Sequence, residues 1–325
     1  MTNPFFKKRA YNITNLISSR WAEGTKNNYR RGWKRWLQFC SNCHESKPSP
    51  ADPFFIAVCI NEMVLDNCKY GALTNLQSGI RWGHVSMGLD NPMENLFVKT
   101  VLEGAKRTVG KPDKSNRKDP INTNMAKQIV QKLSWAESLM DRRIIIFALL
   151  GFSGFLRISE AMVMQVKHIQ FRKNCMQITI PKSKNDQHRE GKTLLVAKTG
   201  SRFCPVQNLK DYLRITQLGN EGENFIICRL AKTREGHRAL GRYHLSDTTI
   251  REQFMTKIAP ICQGIEEGNY GPHSLRSGGA TVASNAGVDE RKIEKHGRWN
   301  APRSKFAYIK DDEENRLTVS RALDL

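Results

Sequence analysis

The apolar and polar positions of the first hundred residues recur with the period of an α-helix. Thr25–Cys40 has one apolar and one basic face, which predicts an amphipathic helix that packs on one side and meets phosphate on the other. The apolar positions of this helix are Tyr29, Trp33, Trp36, Leu37 and Cys40. The same periodicity predicts helices over Phe54–Val64, Leu73–Val85 and Leu96–Leu102, separated by prolines and glycines. We expect residues 1–108 to form a compact helical domain.

This pattern ends in Lys106–Pro120, a segment short of apolar residues and rich in charges and helix breakers. Such a segment has no apolar face to bury, so it is predicted to be a linker. Its like charges favour an extended chain that can follow a DNA backbone. We place the basic linker at residues 109–119 and a second domain at residues 120–325.

The second half contains both helical and strand-like patterns. Helices are predicted over Asn122–Leu133, Arg142–Leu150, Leu245–Cys262 and Asp289–His296, with a further helix beginning near Ser274. Cys175–Pro181 and Thr193–Ala197 favour β-strands, and the polar segment Lys182–Lys192 would join them as a long hairpin. The predicted fold class is therefore mainly α, with a small antiparallel β-sheet in the second domain.

Composition and charge indicate a polyanionic partner. The chain has 325 residues, with 52 Lys plus Arg against 31 Asp plus Glu and a net charge of +21. Basicity is shared by ribosomal, chromatin and membrane-surface proteins, but here both halves carry it, as expected for a surface that lies against nucleic acid. No apolar run is long enough for a membrane span and the first residues lack a secretory signal, so we expect a soluble intracellular protein.

The eight cysteines are scattered without the spacing of a disulfide framework, as expected of reduced thiols. Cys40-Ser-Asn-Cys43-His44 matches the attachment pattern of a c-type haem, but a helix end with incidental thiols is the preferred interpretation. A second pair that would complete a tetrahedral zinc site is missing from the sequence. We predict no metal and no cofactor.

Five side chains form the candidate chemistry: Arg157, His273, Arg276, Trp299 and Tyr308. Two guanidiniums, an imidazole, an indole donor and a phenol are a set suited to attacking a phosphodiester without metal. Arg157 is predicted in the first turns of a helix that begins after Ser153-Gly154, where the helix dipole disfavours a cation, so a ligand is indicated. The alternative is a plain ion pair between Arg157 and Glu160, three residues along.

Together these motifs resemble the tyrosine recombinase (phage integrase) family over most of the chain. The family's first arginine box usually reads Thr-Gly-Leu-Arg-x-Ser-Glu, from which Ser153-Gly-Phe-Leu-Arg157-Ile-Ser-Glu160 departs by one extra apolar residue. His273-Ser-Leu-Arg276 meets the His-x-x-Arg box, and Trp299 precedes Tyr308 by the nine residues that separate the family's His or Trp from its nucleophile. The sequence of the predicted hairpin and the Gly-Phe-Leu-Arg variant look most like those of recombinases of eukaryotic mobile elements, such as DIRS-like retrotransposons.

The resemblance implies a role for each matching residue. Tyr308 would be the nucleophile that forms a 3'-phosphotyrosine, and Arg157 and Arg276 would bind the phosphate. His273 and Trp299 would complete the phosphate site, with His273 also handling the tyrosine proton. The family's hairpin lysine, the general acid, falls on Lys184, with Lys182 as a less favoured candidate. Glu160 would orient an arginine or His273, and His296 is the alternative to Trp299.

The resemblance also implies a two-domain architecture, in which the helical first domain is a core-binding domain that helps to clamp double-stranded DNA. The C-terminal segment Leu317–Leu325 would dock onto a neighbouring protomer, giving a homo-oligomer, dimer to tetramer, on DNA. The predicted DNA-binding residues are Lys26, Arg30, Arg31, Lys34, Arg35, Lys106, Arg107, Lys111, Lys114, Arg117 and Lys118.

The predicted function is site-specific cleavage and rejoining of DNA, in integration or excision, without metal or ATP. Two alternatives stay open: a type IB topoisomerase, and a catalytically inactive DNA-binding protein derived from a mobile element. The expected location is the nucleus if the host is eukaryotic, and otherwise the cytoplasm with the nucleoid.

Overall fold

The computed structural model describes residues 16, 19–110, 118–134, 138–180, 192–299, 308–310, 317, 318 and 320–323. The chain divides into two compact units, Met1–Asn116 and Arg117–Leu325, which we call unit 1 and unit 2. The described elements are mainly helices, with two small antiparallel sheets, both in unit 2. The predicted fold class is confirmed, although only one sheet was expected.

The described part of unit 1 is built from four α-helices. They are α1 (Glu23–Asn42), α2 (Pro53–Leu65), α3 (Tyr70–Ser86) and α4 (Leu96–Val109). Capping side chains determine where two of them begin, because Asp52 accepts the Phe54 N–H at the start of α2 and Asn95 accepts the Phe97 N–H at the start of α4. The helices enclose a core that includes Trp36, Ile56, Ile60, Leu73, Leu76 and Ile80.

Helices α1 and α3 touch at their backbones through glycines. A Cβ atom on Gly32 would lie 1.8 Å from the backbone oxygen of Asn75, so no larger residue fits there. This crossing turns α1 so that Trp36 and Cys40 are buried. Leu37, which the periodicity assigned to the packed face, is 39% exposed, and that assignment was wrong. The apolar stripe is narrower than predicted because it is centred on Gly32 and Trp36.

Helix α4 is longer than the sequence indicated. It continues to Val109, so Lys106 and Arg107 lie in its last turn rather than in a linker, which corrects that prediction. Leu102 and Ala105 remain buried against the core of unit 1, and the Lys106 Nζ atom donates to Gln77 Oε1 at 3.2 Å and Glu103 Oε1 at 3.2 Å. These contacts stabilise the extra turn. Most of the predicted linker, residues 111–117, lies outside the described residues.

Unit 2 contains the remaining helices. In chain order they are α5 (Thr123–Ser134), α6 (Leu139–Ser153), α7 (Ile158–Met162), α8 (Pro205–Thr216), α9 (Asp247–Gln253), α10 (Ala259–Gln263), α11 (His273–Asn285) and α12 (Glu290–Gly297). Helix α6 is buried on nearly every side and forms the centre of the unit. The helix predicted over Leu245–Cys262 is interrupted by a π-turn at Phe254–Ile258. The interruption directly precedes α10, in which Pro260 has no N–H to donate to the preceding turn.

The first sheet has the order β1-β2-β3, all antiparallel: β1 (Ile169–Phe171), β2 (Cys175–Ile180) and β3 (Lys192–Ala197). Strands β2 and β3 were predicted, whereas β1 is only three residues long and gave no alternating pattern. Cys175 pairs with Ala197 at one end and Ile180 pairs with Lys192 at the other, so the segment 181–191 connects the strands at that second end. This segment lies outside the described residues.

Unit 2 also contains a second sheet that the sequence did not predict. Strands β4 (Cys228–Thr233) and β5 (Gly236–His244) pair as an antiparallel hairpin. Its residues are mostly basic or small, so no alternation of apolar and polar positions marks them as strands.

Three findings concern membrane crossing, the cysteines and metal ligands. Within the described residues, no helix combines the length and apolarity needed to cross a bilayer. All eight cysteines are free thiols. Among the described side chains, no three His, Cys, Asp or Glu residues group as a metal site requires.

The Gly32 crossing yields a stability prediction. Gly32→Ala should lower the free energy of unfolding by about 1–3 kcal/mol or more, because the new methyl group forces α1 away from α3. Gly24→Ala, in the same helix, meets nothing within 4 Å and should raise it by about 0.4–1 kcal/mol. Chemical denaturation of the two variants checks both. Equal effects would contradict the close approach of the two helices.

Candidate active site

The turn that carries Arg157 joins α6 to α7. Helix α6 ends at Ser153 with Gly154 as its C-cap, and Phe155 has a φ of 48°, which is unusual for a bulky residue. Arg157 is the N-cap of α7 rather than a residue of its first turns, which corrects the prediction. Its backbone N–H donates to Glu160 Oε2 at 3.0 Å, and its Nη1 donates to Glu160 Oε1 at 2.6 Å. The ion pair considered as the alternative for Arg157 is therefore present.

Arg276 lies in the first turn of α11 and its side chain is completely buried. Its Nη1 donates to the Phe155 carbonyl and its Nη2 donates to the Gly297 carbonyl at 2.6 Å. The close packing of α11 on α6 requires a glycine, because a Cβ atom on Gly279 would lie 2.1 Å from the Phe152 carbonyl oxygen. Arg276 thus ties the Arg157 turn to the end of α12.

A third arginine of this cluster, Arg298, was not identified from the sequence. It follows α12 with a φ of 58° and is 3% exposed. Its Nη1 donates to the Gly154 carbonyl at 3.1 Å, and its Nη2 donates to the Phe155 carbonyl at 2.9 Å and to Glu160 Oε2 at 2.9 Å. In the sequence, Gly297-Arg-Trp299 indicated only a helix break. The signal available in the sequence was the position of Arg298, a cation between the candidate site residues His296 and Trp299.

Glu160 is the carboxylate at the centre of these guanidiniums. Burial by itself would raise its pKa, but the charges of Arg298 and Arg157 and the Arg157 N–H outweigh burial and hold the pKa below its ordinary value. Arg276 Nη1 lies 4.0 Å from Glu160 Oε2. Burial lowers the pKa of the Arg276 guanidinium, and the neighbouring Arg157 and Arg298 add to that effect. Three cations therefore share one buried anion.

Trp299 and Tyr308 cover the Arg276 guanidinium. The Arg276 Cζ atom lies 4.7 Å from the Trp299 ring centroid and 5.1 Å from that of Tyr308, and the two ring centroids are 5.5 Å apart. Thr281 of α11 holds the tyrosine segment: its Oγ1 donates to the Tyr308 carbonyl at 3.3 Å and accepts the Lys310 N–H at 3.1 Å. Tyr308 thus lies beside Arg276 of its own chain.

The two candidate histidines have different surroundings. His296 is half-buried, with its Nε2 2.8 Å from the Ser153 carbonyl and its ring 4.6 Å from that of Phe155. Burial lowers its pKa against the opposing effect of the Ser153 carbonyl, and the charges of Arg298 and Arg276 lower it further. His273, the first residue of α11, is exposed, whereas Arg276 is buried, so the structure gives these two side chains different environments.

Several donors in this cluster are buried without a hydrogen-bond partner among the described residues: Arg276 Nε, Arg298 Nε and Trp299 Nε1. An unsatisfied buried donor costs about 1–3 kcal/mol, and more when it is charged. Their position in a cluster with excess positive charge makes an anion with several acceptor oxygens, such as a phosphodiester, the fitting ligand.

The remaining predicted residues lie elsewhere. In α1, Lys26 and Arg30 pair with Glu23, while Arg31, Lys34 and Arg35 are exposed. Arg107 is exposed on α4, and Lys118 donates to Asn269 in unit 2. Lys182, Lys184, Lys111, Lys114 and Arg117 are outside the described residues.

The Glu160 cluster predicts a dependence of stability on pH. Because its pKa is lower in the folded state than in the unfolded chain, Glu160 stabilises the fold above the unfolded value of about 4.3, and this contribution disappears as the pH falls through the folded pKa. Glu160→Gln should lower the free energy of unfolding by about 3–5 kcal/mol at neutral pH. The free energy of unfolding of this variant should also fall less steeply in acid than that of wild type, as measured by denaturation across pH.

The control for this prediction is Glu223→Gln, which removes an exposed carboxylate 2.8 Å from Lys167. This surface pair should contribute little to stability, because solvent screens the two exposed charges. A Glu160→Gln effect no larger than that of Glu223→Gln would contradict the central role of the buried carboxylate.

Comparison with known proteins identifies the family of the chain. The model of the phage integrase family matches residues 117–315. The "Integrase/recombinase xerD homolog" of Selenomonas ruminantium is 25% identical over 91% of this chain and 86% of its own length. It is a bacterial protein, so the narrower resemblance to eukaryotic mobile elements gains no support.

Two solved structures have a similar fold. The XerH site-specific recombinase bound to its palindromic difH substrate has a TM-score of 0.59 at 14% identity, over 83% of this chain and 69% of that chain. A λ integrase dimer bound to a COC' core site has a TM-score of 0.56 at 14% identity, over 94% and 95% of the two chains. The matched family model covers more than half of the sequence. The chain therefore belongs to the phage integrase family, the tyrosine-type site-specific recombinases of DNA.

Proposed function

We propose that this protein cleaves and rejoins DNA at specific sites through a covalent 3'-phosphotyrosine formed by Tyr308. The observation that carries the proposal is the packing of Tyr308 and Trp299 over the buried Arg276, inside a cluster of three guanidiniums and one carboxylate. A phenol beside excess positive charge is suited to attack a phosphodiester, because the same charge stabilises the anionic transition state.

In the proposed reaction, the Tyr308 oxygen attacks the phosphorus and forms a new P–O bond. The bond between phosphorus and the 5'-oxygen breaks, and the electron pair leaves with that oxygen. His273 accepts the tyrosine proton, and Lys184 supplies a proton to the departing 5'-oxygen. Attack by that 5'-hydroxyl, or by one from another strand, reverses the step. The bond energy stays in the phosphotyrosine, so the reaction requires no ATP. The guanidiniums, rather than a metal ion, stabilise the charge on the phosphate.

The arginines would contribute unequally to phosphate binding. The Arg157 side chain is 12% exposed and can present its outer nitrogens to a phosphate while Glu160 holds its Nη1. Arg276 has committed both terminal nitrogens to carbonyls, and its Nε is the unpartnered donor. The Trp299 indole supplies another such donor. We therefore assign Trp299, rather than His296, to the position before the nucleophile, because the His296 Nε2 is already engaged with Ser153.

Unit 1 would act as the core-binding domain, residues 1–108, joined by the linker 109–119 to the catalytic domain, residues 120–325. The exposed Arg31, Lys34 and Arg35 on α1 provide positive charge for DNA phosphates. A dimer on DNA, as in the λ integrase structure, is the assembly we propose for this chain. The C-terminal segment, helical at Leu317 and Ser320, would dock onto the neighbouring protomer.

The decisive experiment uses nicked duplexes that tile the DNA flanking the coding sequence. Wild type should give a protein–DNA adduct that survives denaturant, because the nick lets the free strand end diffuse away. Tyr308→Phe should abolish the adduct and keep DNA binding, since only the attacking oxygen is removed. Gel electrophoresis under denaturing conditions measures the adduct.

Tyr270→Phe is the matched control. Tyr270 lies in the same unit, and its hydroxyl donates to the Glu266 carbonyl at 3.2 Å, so this variant should keep the adduct. Binding without any adduct would favour an inactive DNA-binding protein. Adducts on any duplex, with relaxation of supercoils by the monomer, would favour a type IB topoisomerase.

Arg298 is expected to act as a positioning residue. Arg298→Lys keeps the charge, but one ammonium cannot bridge Glu160 and the carbonyls of Gly154 and Phe155 as the planar fork does. We expect adduct formation to slow about 10²-fold, as for a misplacement of about 1 Å, with DNA affinity unchanged.

The control for Arg298→Lys is Arg291→Lys, at an exposed position of α12. Single-turnover kinetics at saturating DNA separates the rate of cleavage from DNA binding. A variant that unfolds more easily but cleaves at the normal rate would show that Arg298 only stabilises the fold.

A further inference from the structure

The hairpin formed by β4 and β5 differs from the rest of unit 2 in its charge. Between Cys228 and His244 there are five arginines and lysines and a single acidic residue, Glu235. Arg242 pairs with Glu221 at 2.7 Å. The other basic side chains are exposed and have no ion pair among the described residues: Arg229, Lys232, Arg234 and Arg238. Unpaired charges of one sign on a narrow element create a local positive potential that attracts a partner of opposite charge.

The strand register separates the two faces of this hairpin. Leu230 is opposite Ala239, and Ala239 packs against the core of unit 2. Arg229 is opposite Leu240 and Arg238 is opposite Ala231, so both arginines lie on the other face, which is turned to solvent. Arg234 lies in the connection between the strands. The hairpin therefore has an inner face that is apolar at Leu230 and Ala239, an outer face that carries Arg229 and Arg238, and a basic tip.

The base of the hairpin is held firmly in the core. Residues Ile226, Ile227 and Cys228 are completely buried. The buried Arg143 of α6 donates to the Cys228 carbonyl at 2.7 Å, and the Tyr212 hydroxyl donates to the Ile226 carbonyl at 3.1 Å. A fixed base with an exposed tip allows the hairpin to present its charges in a defined direction. Helix α6 also leads directly to the turn that carries Arg157.

We propose that the β4–β5 hairpin is a second DNA-binding element, which holds the backbone phosphates of duplex DNA through Arg229, Arg234 and Arg238. A two-stranded ribbon is narrow enough to enter or straddle a DNA groove. From the pair Arg229–Leu240 to the turn, the ribbon extends roughly 17 Å at about 3.4 Å per residue, which is long enough to reach phosphates on both sides of a groove. This inference rests on DNA being the substrate.

A second copy of the chain is a poorer occupant than DNA. The protein has a net charge of +21, so two copies repel each other, and a basic face gains little from another basic surface. The contacts proposed here are with phosphates and carry no base specificity, because arginines placed along a backbone fix position rather than sequence.

The test compares two double variants of the full-length chain on a labelled duplex of arbitrary sequence. One is Arg234→Gln with Arg238→Gln. The matched control is Lys173→Gln with Lys198→Gln, two exposed charges that flank the Cys175–Ala197 end of the first sheet, away from the segment that carries Lys184. Both remove two positive charges from unit 2, so they change the net charge equally.

Fluorescence anisotropy at several salt concentrations gives the slope of log affinity against log salt. Each lost phosphate contact should reduce the magnitude of this slope by about 0.9. The slope of the hairpin variant should therefore fall by the equivalent of about two contacts, and the slope of the control should stay close to the wild-type value. Glu235→Gln should strengthen binding, because it removes the one acidic side chain of the hairpin. The midpoint of chemical denaturation of the hairpin variant should match wild type, which verifies its fold.

Equal slopes for the hairpin variant and the control would overturn this inference, since the effect would then be one of net charge alone. A hairpin variant that alters self-association and leaves the salt slope unchanged would also overturn it in favour of a protein partner. Wild-type protein that fails to bind any duplex would refute the proposed function as well. Normal binding and adduct formation with equal slopes would refute only the role of the hairpin.

Discussion

The candidate site depends on one buried interaction, the contact of a single carboxylate with several guanidiniums. Glu160 bonds Arg157 and Arg298 at 2.6 Å and 2.9 Å, and Arg276 lies 4.0 Å away. One anion cannot neutralise three cations, so the cluster retains positive charge in a region that excludes water. Such an excess is costly in a protein interior unless a ligand of opposite charge binds there. An anionic ligand such as a phosphodiester would offset this excess positive charge.

This cluster also joins parts of the chain that are distant in sequence. The carbonyl of Phe155 accepts from both Arg276 and Arg298, which fixes the strained turn before Arg157. Arg276 reaches the end of α12 through Gly297, and Trp299 and Tyr308 pack over its guanidinium. The strained backbone at Phe155 is maintained because hydrogen bonds from two arginines hold its carbonyl in place. Loss of one arginine should therefore disturb the geometry of the others, and their contributions to catalysis should not be additive.

Part of the fold followed from the sequence because local patterns determine it. Helix α6 and strand β2 have the apolar content and alternation typical of a buried helix and a half-buried strand. Other parts did not, for physical reasons. Helix α4 extends through Lys106 because tertiary contacts support its last turn. The β4–β5 hairpin carries charges where a strand pattern needs apolar residues, and its pairing is visible only after the chain has folded.

The sequence by itself determined the family and supplied the candidate site residues, because Arg157, His273-x-x-Arg276, Trp299 and Tyr308 occur in a specific order and spacing. The nine-residue spacing to Tyr308 favoured Trp299, but spacing alone left His296 open as the alternative. The tertiary structure engages His296 with the Ser153 carbonyl and packs Trp299 against both Arg276 and Tyr308. Arg298 became visible only in three dimensions. Its partners are backbone carbonyls and a carboxylate more than a hundred residues away, and such contacts have no signature in local sequence.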